Sequence, residues 1–186
     1  ELSMRITVHA RGGHSSMPPP HTGIGILALI IAKLEANPFP DVLGEESRAS
    51  VLQLQCLRDA PKMPAALRRA LRRVESAERT RKECRKPCWQ HWWKHIGMLS
   101  RLRRLDAARN ELMQSLDYAS RMLLKTTQAV DVAYGGIKVN ALPEISEAFV
   151  NHRIAPYASV RTVIQHYKDL LVPLAKENGF SLVVDR

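Results

Sequence analysis

Two groups of residues carry side chains whose types and spacing could do chemistry. The first is His14, set in Gly12-Gly13-His14-Ser15-Ser16 and followed by Pro18, Pro19 and Pro20. An imidazole presented on a loop can exchange a proton near neutral pH or donate a hydrogen bond to developing negative charge. Taken alone, it reads first as an exposed loop histidine. The second group is Cys84, Cys88, His91 and His95, a C-x3-C-x2-H-x3-H run with the ligand types of a tetrahedral zinc site. A two-Cys, two-His finger needs roughly a dozen residues between its pairs, so the spacing argues against one, although His91 and His95 at i, i+4 can share a helical face. Tryptophans 89, 92 and 93 covering apolar surface, with incidental thiols, are the plainer account.

These side chains need elements to hold them. Met4 to Ala10 alternates apolar and polar residues as a half-buried strand does, which places His14 just past a strand end. Thr22 can cap a helix running to about Ala36, with Ile26, Ile30 and Leu34 on one face and Leu27 and Ile31 beside them. Asn37-Pro38-Phe39-Pro40 ends it. Residues 41 to about 125 read as helices over Ser47 to Arg58, Pro64 to about Lys82, and Leu99 to Leu124, the last amphipathic through Leu102, Leu105, Leu112, Leu116 and Leu123. Strand character returns at Ala129 to Tyr134, stops at Gly135-Gly136, and resumes from Glu144 to about Ile154. There the imperfect alternation of Ile145, Ala148, Val150 and Ile154 predicts a bulge near Asn151. A helix from Ser159 to Asn178, closed by Gly179, precedes a strand from Phe180 to Val184.

Without the middle helices the order is strand, helix, strand, strand, helix, strand. That is the split βαβ arrangement, an α+β fold of ferredoxin-like type with a four-stranded antiparallel sheet and two helices on one face. The expected division is a ferredoxin-like domain from residues 1–40 and 126–186, interrupted by a basic helical insertion over 41–125.

A chain of 186 residues suits one domain, or one domain with a large insertion. With 45% hydrophobic and 25% charged residues, its composition is that of an ordinary soluble protein. The longest apolar run, Gly23 to Ala32, is too short to cross a bilayer. Glu1-Leu2-Ser3-Met4-Arg5 reads neither as a signal peptide nor as a natural start, so the chain is expected to be a piece of something longer. Three cysteines form no regular framework, and free thiols are the default. The formal charge of +10 is local: Pro61 to Asn110 holds 15 Lys and Arg against 4 Asp and Glu, a net of +11, and the rest of the chain nets −1.

The junction residues carry a resemblance. Gly13-His14-Ser15-Ser16 with its prolines, the helix ending Leu34-Glu35-Ala36-Asn37-Pro38-Phe39-Pro40, the run Gly135-Gly136-Ile137-Lys138-Val139-Asn140-Ala141-Leu142-Pro143, and Asn151-His152-Arg153-Ile154 together resemble the lid or dimerisation domain of the zinc aminoacylase and carboxypeptidase family. The triple proline and TTQAVDVAYGG are most similar to the carboxypeptidase S and N-acyl-amino-acid hydrolase branch. The match covers roughly residues 4 to 60 and 120 to 186, and three ordered motifs on the expected fold weigh more than any one alone.

What the resemblance implies is a divided enzyme. A separate catalytic domain holds two zinc ions, a bridging carboxylate and a glutamate base, and hydrolyses peptide or N-acyl amino acid amide bonds through a tetrahedral oxyanion. The lid lends a histidine to that charge, often in the neighbouring subunit, and holds the substrate carboxylate with an asparagine and an arginine. By motif these are His14, Asn140 and Arg153. The glycines and prolines would then hold the imidazole outward, and the planar fork of Arg153 suits a carboxylate. No zinc set of the family can be assembled here, so this segment alone should be inactive and zinc is expected only in the complete enzyme. The resemblance also points to a homodimer joined through the lid and to a vacuolar, lysosomal or secreted parent. Segment 80 to about 109 matches nothing in the family.

Plainer readings stand beside these. Asn140 can be a turn residue before Leu142-Pro143, and Arg153 a cross-strand ion pair with Glu144 or Glu147. A non-catalytic association module using an exposed edge strand is the competing class. Nucleic-acid recognition ranks last: the strands VDVAY and ISEAFVNH lack an RNP-like aromatic pattern, and the charge sits in the insertion, where a solvated helical face accounts for Arg68, Arg69, Arg72 and Arg73.

Overall fold

The computed structural model describes residues 1–41, 43–45, 47–83 and 93–185, without the side chains of residues 81–83, 93–99 and 182. Cys84, Cys88 and His91 lie outside the described residues, as does the side chain of His95. Two compact units emerge, Glu1–Phe39 with Thr126–Arg186, and Pro40–Lys125.

In the first unit a four-stranded sheet has the order β3-β5-β1-β6, from strands β1 Leu2–His9, β3 Ala129–Gly135, β5 Ile145–His152 and β6 Leu182–Asp185. All neighbours are antiparallel, and helices α1 Gly23–Glu35 and α6 Val160–Asn178 supply the expected split βαβ order. Met4, Ile6 and Val8 of β1 and Ala148 and Val150 of β5 face Ile26, Ile30 and Leu34 of α1 and Val163, Tyr167 and Leu171 of α6. This is the core, built from period two on the strands and i, i+4 on the helices. Thr22 caps α1 by accepting from the Gly25 N–H at 3.1 Å, and Ser159 caps α6 through the Thr162 N–H. Gly179 ends α6 in the left-handed region at φ 66°, with its N–H bonded to the Ala175 carbonyl.

The bulge lies elsewhere than expected. β5 alternates cleanly, with Ser146, Ala148, Val150 and His152 all buried, and the register shift falls across Val130/Val132 of β3. A polar serine and a histidine on the inner face hid the regular period. His152 is accommodated there because its Nε2 and the Tyr167 hydroxyl share a hydrogen bond at 3.1 Å and the ring of Phe39 meets it edge-on.

The second unit is helical: α2 Arg48–Cys56, α3 Ala65–Glu83, α4 Trp93–Ser115 and α5 Tyr118–Leu124. Leu67, Leu71 and Val74 of α3 pack on Leu105, Ala108 and Leu112 of α4. The single helix expected to reach Leu124 is broken, because Asp117 leaves the helix and caps α5 by accepting from the Ser120 N–H. Leu123 is consequently exposed.

Candidate functional site

Beyond β1 the chain returns through a small ladder, β2 Gly13–His14 against β4 Ala141–Leu142. It sets His14 opposite Ala141, and the Asn140 carbonyl accepts from the Ser15 N–H at 3.2 Å. His14 and Asn140, 126 positions apart in sequence, thus become neighbours at this separate two-stranded ladder. Two glycines make this approach possible. A Cβ on Gly135 would lie 2.7 Å from Ile24 in the first turn of α1, and Gly136 takes a left-handed φ of 75°.

The His14 ring is exposed, yet its orientation is set locally. Its Nδ1 accepts from the Ser16 backbone N–H at 3.2 Å and lies 2.7 Å from the Ser16 hydroxyl. A neutral imidazole that accepts at Nδ1 carries its proton at Nε2, so the ring offers an outward N–H donor. Ser16 is therefore the neighbour that orients the His14 ring, one that the motif contained and sequence reasoning passed over. Beside the ladder, a hollow of about 510 Å³ is lined by Ser15, Ile24, Gly136, Lys138 and Leu142 among others. Ile137 and Val139 at its rim are fully exposed, at 96% and 103%.

Arg153 is placed at the other end of the β1–β5 ladder. The β1–β5 ladder pairs Leu2 with His152 and His9 with Ile145, so Arg153 follows the first pair and the His14 loop follows the last. Seven strand steps at roughly 3.4 Å put these ends about 24 Å apart. The structure brings His14 and Asn140 together and leaves Arg153 away from both. Neither ion pair considered for Arg153 forms: Glu147 instead accepts from the Thr7 hydroxyl, and Glu144 lies at the His14 end. What holds Arg153 is Thr127, whose N–H donates to the Arg153 carbonyl at 2.9 Å and whose hydroxyl accepts from the Arg153 N–H. Thr126 accepts from the Ala155 N–H two residues on. The paired threonines of TTQAVDVAYGG thereby fix the backbone around Arg153.

A family model described as peptidase dimerisation domain matches residues 2–179. Among curated proteins the chain is similar to carboxypeptidase S of Saccharomyces cerevisiae, 31% identical over 184 residues, covering 97% of this chain and 27% of that protein. It is also similar to the human N-fatty-acyl-amino acid synthase/hydrolase PM20D1, 27% identical over 170 residues, covering 91% of this chain and 27% of that one. The chain thus spans about a quarter of the length of these relatives. Among solved structures, human carnosine dipeptidase 1 aligns with a TM-score of 0.45 at 14% identity, over 98% of this chain and 35% of that one.

Proposed function

The chain belongs to the peptidase dimerisation domain family, and from that premise we propose that it is the lid of a carboxypeptidase- or aminoacylase-type hydrolase acting on peptidyl or N-acyl amino acids. The observation that carries this reading is the presentation of His14 as an outward Nε2–H donor beside Asn140, on a rigid two-strand ladder. Such a donor meets the charge that grows on a carbonyl oxygen as water adds to the amide carbon. One oxyanion donor of this kind contributes a factor of about 10² to 10³ in kcat. Arg153 offers its fork to the substrate's free carboxylate, with its backbone held by Thr127.

The separation of Arg153 from His14 gives the lid reading its quaternary form. One copy cannot place both side chains on one small substrate, so the site is composite: Arg153 from one subunit, His14 and Asn140 from its partner. Zinc is the metal implied for the whole enzyme. Among the described residues no group of three or more His, Cys, Asp or Glu side chains could bind a metal, so no step here is routed through one.

The test uses the complete parent enzyme and an N-acyl amino acid. His14→Ala lowers kcat by about 10² or more with little change in KM. Arg153→Ala raises KM by about tenfold, the loss of one charged contact. At substrate well below KM, where both variants are slow, mixing them raises turnover to about a quarter of wild type, since half of the random dimers then contain one intact composite site. Full activity of His14→Ala would refute the lid assignment, and absence of recovery on mixing would refute shared sites alone.

A further inference from the structure

The loop that carries Asn140 also carries the two most exposed large apolar side chains among the described residues, Ile137 at 96% and Val139 at 103%. Neither joins the core of its own unit. Yet the loop that presents them is tied down. The Ser15 N–H donates to the Asn140 carbonyl at 3.2 Å, the Ser15 hydroxyl to the Val139 carbonyl at 3.3 Å, and the Ala141 N–H to the Lys138 carbonyl at 3.4 Å. At the loop's entry Gly136 takes its left-handed φ of 75°, and the absence of a Cβ on Gly135 lets the chain pass directly over Ile24 in the first turn of α1. Two β-branched apolar side chains are thus held out in water next to the residues read as substrate contacts.

The hollow of about 510 Å³ beside them falls within the range of small-molecule sites, roughly 300–1,000 Å³. It reaches both substrate contacts. Ser15 follows His14 in the chain, Val139 and Ala141 flank Asn140, and all three line the hollow. Ile24, 46% exposed, supplies its α1 side, and Leu142 and Pro143 line it at the end of β4. Lys138 is the one charged residue in this lining, and it has no ion-pair partner among the described residues.

We propose that this hollow receives the side chain of the amino acid that the hydrolase releases, and that Ile24, Ile137 and Val139 select an apolar one. The inference rests on the lid reading. In a peptidyl or N-acyl amino acid, the scissile amide and the free carboxylate flank one α-carbon, which also bears the side chain. With the oxyanion at His14 and the carboxylate at Asn140, that α-carbon lies over the small ladder, and its side chain enters the recess alongside. An apolar side chain displaces water from Ile137 and Val139 as it enters, and this burial is the attraction. A lysine or arginine side chain meets the like charge of Lys138. An acidic one gains only an exposed ammonium, a pair worth little in water.

The experiment uses the complete parent enzyme and a set of N-acetyl amino acids that differ only in side chain. Wild type is expected to favour leucine over serine by about tenfold or more in kcat/KM. Ile137→Thr combined with Val139→Thr keeps the branched shape, removes apolar surface, and is expected to lower that ratio by about fivefold or more. Val183→Thr makes the same exchange on exposed β6 and is expected to change the ratio by less than about twofold. Lys138→Glu is expected to raise kcat/KM for lysine relative to leucine by about threefold or more. Ratios between substrates cancel a folding defect, which lowers all of them alike. The proposal is overturned if wild type prefers serine or an acidic side chain to leucine, or if the double variant keeps the wild-type ratio. A double variant that turns monomeric with its ratio unmoved likewise overturns it and gives the loop to the subunit contact. Failure of the lid reading looks different: His14→Ala then turns over every substrate as wild type does. A collapse of His14→Ala on all substrates, with an unmoved ratio in the double variant, removes the side-chain pocket alone.

Discussion

His14 and His152 are histidines of opposite circumstance in one unit. His14 is exposed and steered by Ser16, whereas His152 lies in the core between Tyr167 and Phe39. Burial holds the His152 pKa below its ordinary value of about 6.5, with the nearby His166 pushing the same way. The same burial pushes the Tyr167 hydroxyl upwards. A core histidine that resists protonation when folded, but accepts a proton when unfolded, leaves stability intact above its unfolded pKa and erodes it as the pH falls below about 6.5. Urea midpoints of the chain are therefore expected to drop between pH 7 and pH 5. His152→Phe flattens that slope while costing about 1–3 kcal/mol at pH 7, because the Tyr167 hydroxyl loses its partner. A variant as pH-sensitive as wild type would remove His152 from the account. Residue types alone could not separate these roles, since both histidines stand in similarly short polar contexts and only burial distinguishes them.

Elements behaved as their patterns required wherever period and cap agreed. Thr22, Ser159 and Gly179 mark helix ends in the sequence and do so in the structure, because each supplies a local bond or backbone angle that needs no distant partner. Where two local signals competed, the capping residue won: Asp117 split the expected long helix although the leucine pattern ran through it. Proline was overridden in the other direction. Pro173 stands inside α6, which continues because Val163, Tyr167 and Leu171 are buried on its other face. Pro173 itself is exposed, so the carbonyl it leaves without a donor can be solvated. Replacing it by alanine restores a helical N–H and should stabilise the chain by about 1–3 kcal/mol, read as a raised urea midpoint with unchanged m-value. A loss of stability would mean that the surrounding packing depends on the proline ring.

At the scale of the whole molecule, the first unit leaves apolar side chains exposed on one helix and on one edge strand. Helix α1 exposes Ile24, Ala28, Leu29 and Ala32 on the side away from its core contacts. β3 is an edge of the sheet with Val132 and Tyr134 exposed, and the bulge at Asp131 interrupts its ladder. A second copy could cover both. If a second copy covers that surface, Leu29→Glu and Val132→Lys, each placing one charge on it, shift the mass in light scattering at micromolar concentration from dimer to monomer, weakening association by about tenfold or more. Unchanged mass in both would assign the face to another contact. What the sequence by itself determined was the α+β order, the helix caps, and the local motifs around His14, Asn140 and Arg153, because these depend on periodicity and on bonds spanning a few residues. Only the tertiary structure decided which of those motifs meet. Strand register joined His14 to Asn140 across 126 positions and set Arg153 some 24 Å away at the opposite end of the same ladder. Register is a property of paired strands, fixed by which faces can be buried together, and no single segment carries it.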